Sequence, residues 1–281
     1  VTVETILAKF KKDESNNISA FKGKSGSNRY QISLDISKRI SNPHKIQQRS
    51  TSLCGAVVFL QCIAKKHPEV YAQYIIDLFE KGEASIGKLQ VKPSRACKSL
   101  FKDTIPRATI VDVDWIGLAS LRDSTNTLFN YDHPSDQLAG ITTPGCLAGW
   151  FKKTELFGSV ENETNLIFDK GSRNLLQANL RYSTDYHVCL FVGSKILVTA
   201  DNIKLKKGSA PADHWVILNS KVLLDNMPAN LDMTSQVDVQ DKKISFNIQT
   251  WGNNQMPVNK ANTSLKVSEF LDYYYGYVCV K

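Results

Sequence analysis

The chain is predicted to be α+β, a helical lobe first and a mostly antiparallel β-sheet lobe second. Three observations predict this. Apolar residues recur at helical spacing through most of the first two thirds, with proline and glycine at the ends of the runs. Beyond residue 185 the sequence turns to short β-branched and aromatic runs separated by Gly, Asn, Asp and Pro. The 281 residues, 42% of them hydrophobic, suffice for one large domain or two lobes sharing a cleft. The expected division is a lead-in segment with one strand over 1–45, a helical lobe over 46–185 and a sheet lobe over 186–281, together one domain.

Val3 to Phe10 has a short helical pattern, followed by a polar stretch to residue 28. Tyr30, Ile32, Leu34 and Ile36 alternate and predict a strand, which Pro43 interrupts. Cys54 to Ala64 is apolar but for Gln61 and reads as a buried helix. Pro68 then stands where a first-turn proline is tolerated, and Val70, Tyr71, Tyr74, Ile75, Leu78 and Phe79 continue to Gly82. Val111 to Leu121 predicts another helix, followed by a polar loop over Arg122 to Gln137. Thr142-Thr143-Pro144 opens a further helix with Leu147, Trp150 and Phe151, and Leu175, Leu176 and Leu180 mark one more. Strands are expected at Val188–Val192, Trp215–Leu218, Val237–Val239, Ile244–Trp251 and Tyr277–Val280, with one helix from Leu265 to Tyr274 before Gly276.

The formal charge is +8, from 35 basic against 27 acidic side chains, which favours anionic partners through long-range attraction. The lysines are scattered or in short groups such as Lys11-Lys12 and Lys206-Lys207, and no sequence-specific nucleic-acid motif is present. No window approaches the ~18 consecutive apolar residues of a transmembrane segment, and the N-terminus lacks secretory zones. Valine at residue 1 suggests a domain excised from a longer protein. Six cysteines in this length do not make a disulfide scaffold, and none forms a C-x-x-C pair. Neither they nor His44, His67, His133, His187 and His214 have zinc-ligand spacing, so no metal and no cofactor is expected. Gly23-Lys24-Ser25 lacks the glycine and the preceding strand of a phosphate loop.

Chemistry is concentrated around Cys54, where a polar run switches to an apolar helix with Ser52 as the candidate cap. A thiol at a helix N-terminus is biased toward the nucleophilic thiolate. Cys62, Cys189 and Cys279 sit in apolar runs and read as core. Two downstream segments complete the pattern. Ala212-Asp213-His214-Trp215-Val216-Ile217-Leu218 places a histidine at the entry of an apolar strand, and Gln249-Thr250-Trp251-Gly252 closes the strand that starts near Ile244. Gln48 lies six positions before Cys54.

In the order Gln48, Cys54, His214 and Gln249-Thr250-Trp251-Gly252, the chain resembles the papain-like cysteine peptidase superfamily. The resemblance implies a papain-like fold with Cys54 as nucleophile, its pKa lowered by the helix terminus and a nearby imidazolium. It implies that His214 forms that ion pair and protonates the leaving amine, while Gln249 orients the imidazole as the third residue of a triad. Trp251 would shield that hydrogen bond, and Gln48 with the Cys54 N–H would form the oxyanion hole. Three departures stand against the pattern. The third residue is Gln rather than Asn, 35 positions separate His214 from Gln249, and the family's disulfide cysteine beside the nucleophile is absent. The third role has Asp201 and Asp225 as alternatives. Asp213 is a poor partner, since adjacent strand residues face opposite sides.

The function implied is a thiol hydrolase of amide bonds working through a covalent thioester: a peptidase, amidase or deamidase. Its substrate would be protein, peptide or peptidoglycan. By analogy with Cys-His-Gln effector deamidases, it would be the toxin or effector domain of a secreted bacterial protein acting in the target cell, with a cognate immunity protein as a possible partner. The alternatives are a catalytically inactive papain-like binding module and a transglutaminase-like acyltransferase.

Overall fold

Capping residues and apolar spacing build the first part of the chain, as a computed structural model shows. It describes residues 2–13, 19–21, 28–99, 110–125, 142–165, 171–198, 212–235 and 239–281. Two compact units are present, residues 1–143 with 153–156 and residues 144–152 with 157–281. The architecture is α+β with antiparallel sheets. No helix among the described residues is long and apolar enough to cross a membrane.

In the first unit, α1 (Val3–Lys12) starts at Thr2, whose hydroxyl accepts the Thr5 N–H. Helix α2 (Arg29–Ser41) starts at Asn28, which accepts the Gln31 N–H at 2.8 Å. It replaces the strand expected over Tyr30 to Ile36. Ile32 and Ile36 lie four apart and are buried with Ser33, Asp35 and Arg39, while Tyr30 is exposed. The period is thus that of a helix with charged residues on its inner face. Among its described residues the lead-in segment accordingly holds two α-helices.

Helix α3 (Cys54–Lys66) is buried along almost its whole length. Helix α4 (Pro68–Lys81) follows, closed by Gly82 at φ 72°. A hairpin of β1 (Ala84–Ile86) and β2 (Leu89–Val91) turns at Gly87, φ 55°, where an added Cβ would stand 2.0 Å from the Thr154 carbonyl oxygen. Helices α5 (Arg95–Ser99) and α6 (Asp112–Thr125) follow. Arg122 to Thr125, expected in a loop, finish α6, and 126–137 lie outside the described residues. Phe10 meets Phe79 edge-on at 5.5 Å, and Arg29 lies over Phe10 while pairing with Glu80. Helices α4 and α6 approach closely at Gly117, whose carbonyl accepts the Tyr74 hydroxyl at 2.7 Å.

The second unit begins with α7 (Pro144–Thr154), of which residues 144–152 belong to it. It then comprises β3 (Val160–Thr164), α8 (Ser172–Ser183), β4 (His187–Val192), β5 (His214–Leu218), β6 (Leu223–Leu224) and β7 (Met227–Pro228). After these come β8 (Ile244–Ser245), β9 (Asn247–Thr250), β10 (Asn253–Pro257), α9 (Val267–Leu271) and β11 (Tyr274–Val280). Six strands pair antiparallel in the order β10-β9-β5-β4-β11-β3, and β7-β6-β8 form a smaller sheet. Helix α8 packs on β4 and β11, so β3 and α8 join the sheet unit and the division falls earlier than residue 185.

Strand alternation assigns the faces. Val188, Leu190 and Val192 of β4, Val216 and Leu218 of β5, and Ile248 of β9 share one apolar cluster with Leu175 and Leu176 of α8. The strand expected over Ile244–Trp251 is two strands in different sheets, because Phe246 leaves the pleat to pack edge-on against Phe270 at 5.3 Å. Of the strand expected over 237–239, Val239 instead opens a short 3-10 turn, and the other two residues lie outside the described ones. Helix α9 is shorter than expected because Tyr274 already belongs to β11. Gly276 does not stop that helix; it sits inside β11 at φ 98°, where an added Cβ would be 2.1 Å from the Glu163 carbonyl oxygen. The segment 23–25, His133, Asp201 and Lys206-Lys207 lie outside the described residues.

Candidate functional site

Cys54 is the first residue of α3 and is buried, with 6% of its surface exposed. The cap position belongs to Leu53, whose side chain makes no capping hydrogen bond, and not to Ser52 as expected. The partial positive charge of the helix N-terminus is directed at the cysteine end. Gly55 lets the wall come close: an added Cβ would lie 2.3 Å from Cβ of the buried Thr142. Gly55→Ala is accordingly expected to destabilise the first unit by about 1–3 kcal/mol through overpacking. Thermal unfolding of the variant checks this, and an unchanged midpoint would count against the close approach.

The loop before Cys54 is fixed from below. The buried Gln61 side chain of α3 donates through Nε2 to the Ile46 carbonyl at 3.1 Å, and the Asp114 carboxylate accepts the Gln47 backbone N–H. Asp114 also receives Nε and Nη2 of Arg39, both at 2.7 Å. Burial pushes the Asp114 carboxyl up, and the Arg39 hydrogen bonds oppose that. Next comes a turn with Arg49 at φ 54°, in which the Gln48 carbonyl accepts from the N–H and hydroxyl of Thr51. The Gln48 side chain is half-buried, and its Oε1 has no hydrogen-bond partner among the described residues.

In the second unit, His214 opens β5, 6% exposed and paired with Val192 of β4. Its Nε2 is 2.8 Å from Oγ1 of Thr250 at the end of β9. The Trp251 indole stacks on the ring, centroids 5.2 Å apart with 26° between planes. Burial pushes the imidazole down to about 4, and nearby Asp213 only partly opposes this. The ring is therefore neutral near pH 7, not the imidazolium that the resemblance implied.

The hydrogen bond assigned to Gln249 is thus made by its neighbour. Gln249 pairs with Ile217, so it shares the face of Trp215 and Ile217, opposite to that of His214, Val216 and Leu218. Thr250, one residue on, has the parity of His214. Asp213 engages the Ser194 N–H and hydroxyl at 2.6 and 2.9 Å. Asp225 does not serve as the third residue either, being exposed in the β6–β7 hairpin with the Lys243 N–H at 2.9 Å and Lys242 Nζ at 3.3 Å.

Two hairpins set Trp251 in relief. Asp225-Asn226, at φ 50° and 66°, has the residue types favoured for positive φ in a two-residue turn. Trp251-Gly252 makes the corresponding turn between β9 and β10 at φ 47° and 76°. Tryptophan is disfavoured there, yet its ring, 45% exposed, is spent on covering His214. The structure brings His214 together with Trp251 and with Thr250, which was not among the sequence candidates because its placement depends on strand parity. Comparison with family models, curated proteins and solved structures returned no match for this chain.

Proposed function

We propose that the chain is a thiol hydrolase of amide bonds. In this reading the neutral His214 takes the Cys54 proton, and the sulfur attacks the carbonyl carbon to form a tetrahedral oxyanion. Collapse breaks the C–N bond as His214 returns the proton to the leaving amine, and water then hydrolyses the thioester. The first-turn N–H groups of α3 and the Gln48 side chain are the proposed donors to the oxyanion, each typically worth about 2.7–4 kcal/mol.

The observation that carries this reading is the setting of His214. A buried imidazole gripped through one nitrogen and covered on one face is an arrangement that prepares the other nitrogen for proton transfer. The position of Cys54 as the first residue of α3 supports it. Cys54→Ala should abolish turnover of candidate peptide, protein and peptidoglycan substrates with circular dichroism unchanged. The products separate the subclasses by mass, fragments for cleavage against an amide-to-acid exchange for deamidation. Turnover retained in Cys54→Ala would sink the proposal.

A second reading, a binding module without catalysis, is favoured by the low exposure of both Cys54 and His214, 6% each. Iodoacetamide discriminates. Rapid, pH-dependent labelling confined to Cys54 supports the hydrolase, whereas slow and unselective labelling supports the module.

A further inference from the structure

We infer that a cavity of the second unit is a binding site for one uncharged acetamido sugar ring, an N-acetylhexosamine. The inference goes beyond the hydrolase reading and does not rest on it, because the cavity lies wholly within the second unit and its occupation is read without turnover.

The argument starts from composition. Ile244 to Asn259 contains no charged residue, although 22% of the chain is charged, and its polar residues include Ser, Thr, Asn and Gln. The fold sets this stretch against Ser220 and Leu223 on one side and Asn262 and Thr263 on another, around a cavity of about 240 Å³ whose lining holds no charged side chain. A phosphate, carboxylate or ammonium group would lose its hydration there without gaining a counter-charge. The volume lies below the roughly 300–1,000 Å³ of sites for drug-sized ligands, so the cavity suits one ring and not a chain of rings.

Hydrogen bonds within the chain hold the walls in place. The Ser220 hydroxyl accepts the Asn247 N–H at 2.7 Å, the Phe246 carbonyl the Val258 N–H at 2.9 Å, and the Leu265 carbonyl the Ile244 N–H at 2.8 Å. Asn259, 5% exposed, accepts the Ala261 and Asn262 N–H groups through Oδ1 at 2.9 and 2.8 Å. Asn262 in turn accepts the Ser264 N–H at 2.9 Å. The loop carrying Asn262 and Thr263 is thus set before a ligand arrives, which lowers the ordering cost of binding.

The lining divides into two chemistries. Leu223, Ile244, Phe246 and Val258 supply apolar surface, with the Phe246 ring fixed edge-on against Phe270. Ser245 and Thr263, both exposed, bring hydroxyls that can turn to donate or accept, and Asn262 brings a carboxamide. A pyranose offers a C–H face to the first set and hydroxyls at its edge to the second. Its acetamido group adds a methyl and an amide, one for each set. An aliphatic peptide side chain would leave the hydroxyls and the carboxamide unused.

NMR titration of the full chain with N-acetylglucosamine tests this through backbone amide and methyl shifts. Saturable shifts confined to residues around the cavity are expected, with a Kd of about 1 mM, the scale for a ligand of ~15 non-hydrogen atoms. Glucose, which lacks the acetamido group, should bind about tenfold more weakly, and N-acetylleucinamide, a peptide probe, should not saturate the site. Thr263→Ala should weaken binding about fivefold, the loss of one hydrogen bond. Ser245→Phe, at an exposed position whose larger side chain would fill the cavity, should abolish the shifts. Absence of saturable shifts in the wild type, shifts spread over both units, equal affinity for glucose, or preference for N-acetylleucinamide would each overturn the inference, even if Ser245→Phe fails to fold. Cys54→Ala should bind the sugar as the wild type does, so a chain without hydrolase activity that still binds would sink the hydrolase reading alone.

Discussion

Asp114→Ala is expected to destabilise the first unit by about 3–5 kcal/mol. The carboxylate is 2% exposed and takes two hydrogen bonds from Arg39, itself 5% exposed, so its removal strands a buried guanidinium. Asp35 only partly compensates, its carbonyl accepting Arg39 Nη1 at 3.2 Å and its carboxylate standing 3.8 Å from the same nitrogen. Urea unfolding followed by circular dichroism checks the magnitude. A double variant, Arg39→Met with Asp114→Leu, is expected to recover most of the loss, because removing both charges leaves no unpaired ion. A loss below 1 kcal/mol in the single variant would show that the pair is not buried in solution. The Gln47 N–H loses its acceptor in the same variant, so the loop carrying Gln48 should exchange its amide protons faster.

The second large effect is a loss of stability in acid that traces to His214. Its folded pKa is pushed down to about 4 by burial, against an ordinary value of 6.5 in the unfolded chain. The unfolded chain thus binds the proton first as pH falls. Stability contributed by the neutral ring is whole above pH 6.5, declines between 6.5 and about 4, and is gone below that, a total of about 3 kcal/mol. Acid titration of unfolding free energy, wild type against His214→Gln, isolates this component, and NMR titration of the ring gives its midpoint directly. A midpoint near 6.5 would mean that water reaches the ring. Trp251→Ala should move the midpoint upward, since the indole covers one face.

The parts of the fold that could be read from sequence are those where one local pattern suffices. Helix α4 shows this, with Pro68 and Gly82 marking both ends of an apolar run of period 3.6. Cys54 and His214 were visible because each stands where a polar run meets an apolar one. Helix α2 was misread because Tyr30, Ile32, Leu34 and Ile36 also satisfy period 2, and its inner face carries Asp35 and Arg39, whose partner Asp114 is 75 residues from Arg39. Strand β3, Val-Glu-Asn-Glu-Thr, escaped because an edge strand with little burial has no apolar alternation to show. The short hairpin β1–β2 also has too few residues to register a period. Thr250 could not be chosen over Gln249 without the register of β9 on β5, which no local window contains.

The two borders of the six-stranded sheet carry a consequence for crowded solutions. On one side β10 offers exposed Asn253, Asn254 and Gln255, an irregular register and Pro257, which has no N–H to give. On the other, β3 alternates Glu161 and Glu163 around Asn162. A further copy approaching either flank would find a missing donor or charged side chains, Glu163 and the Glu161–Arg181 pair, where a continuous zipper should form. Fibre growth by flank-to-flank stacking of intact molecules is thereby discouraged.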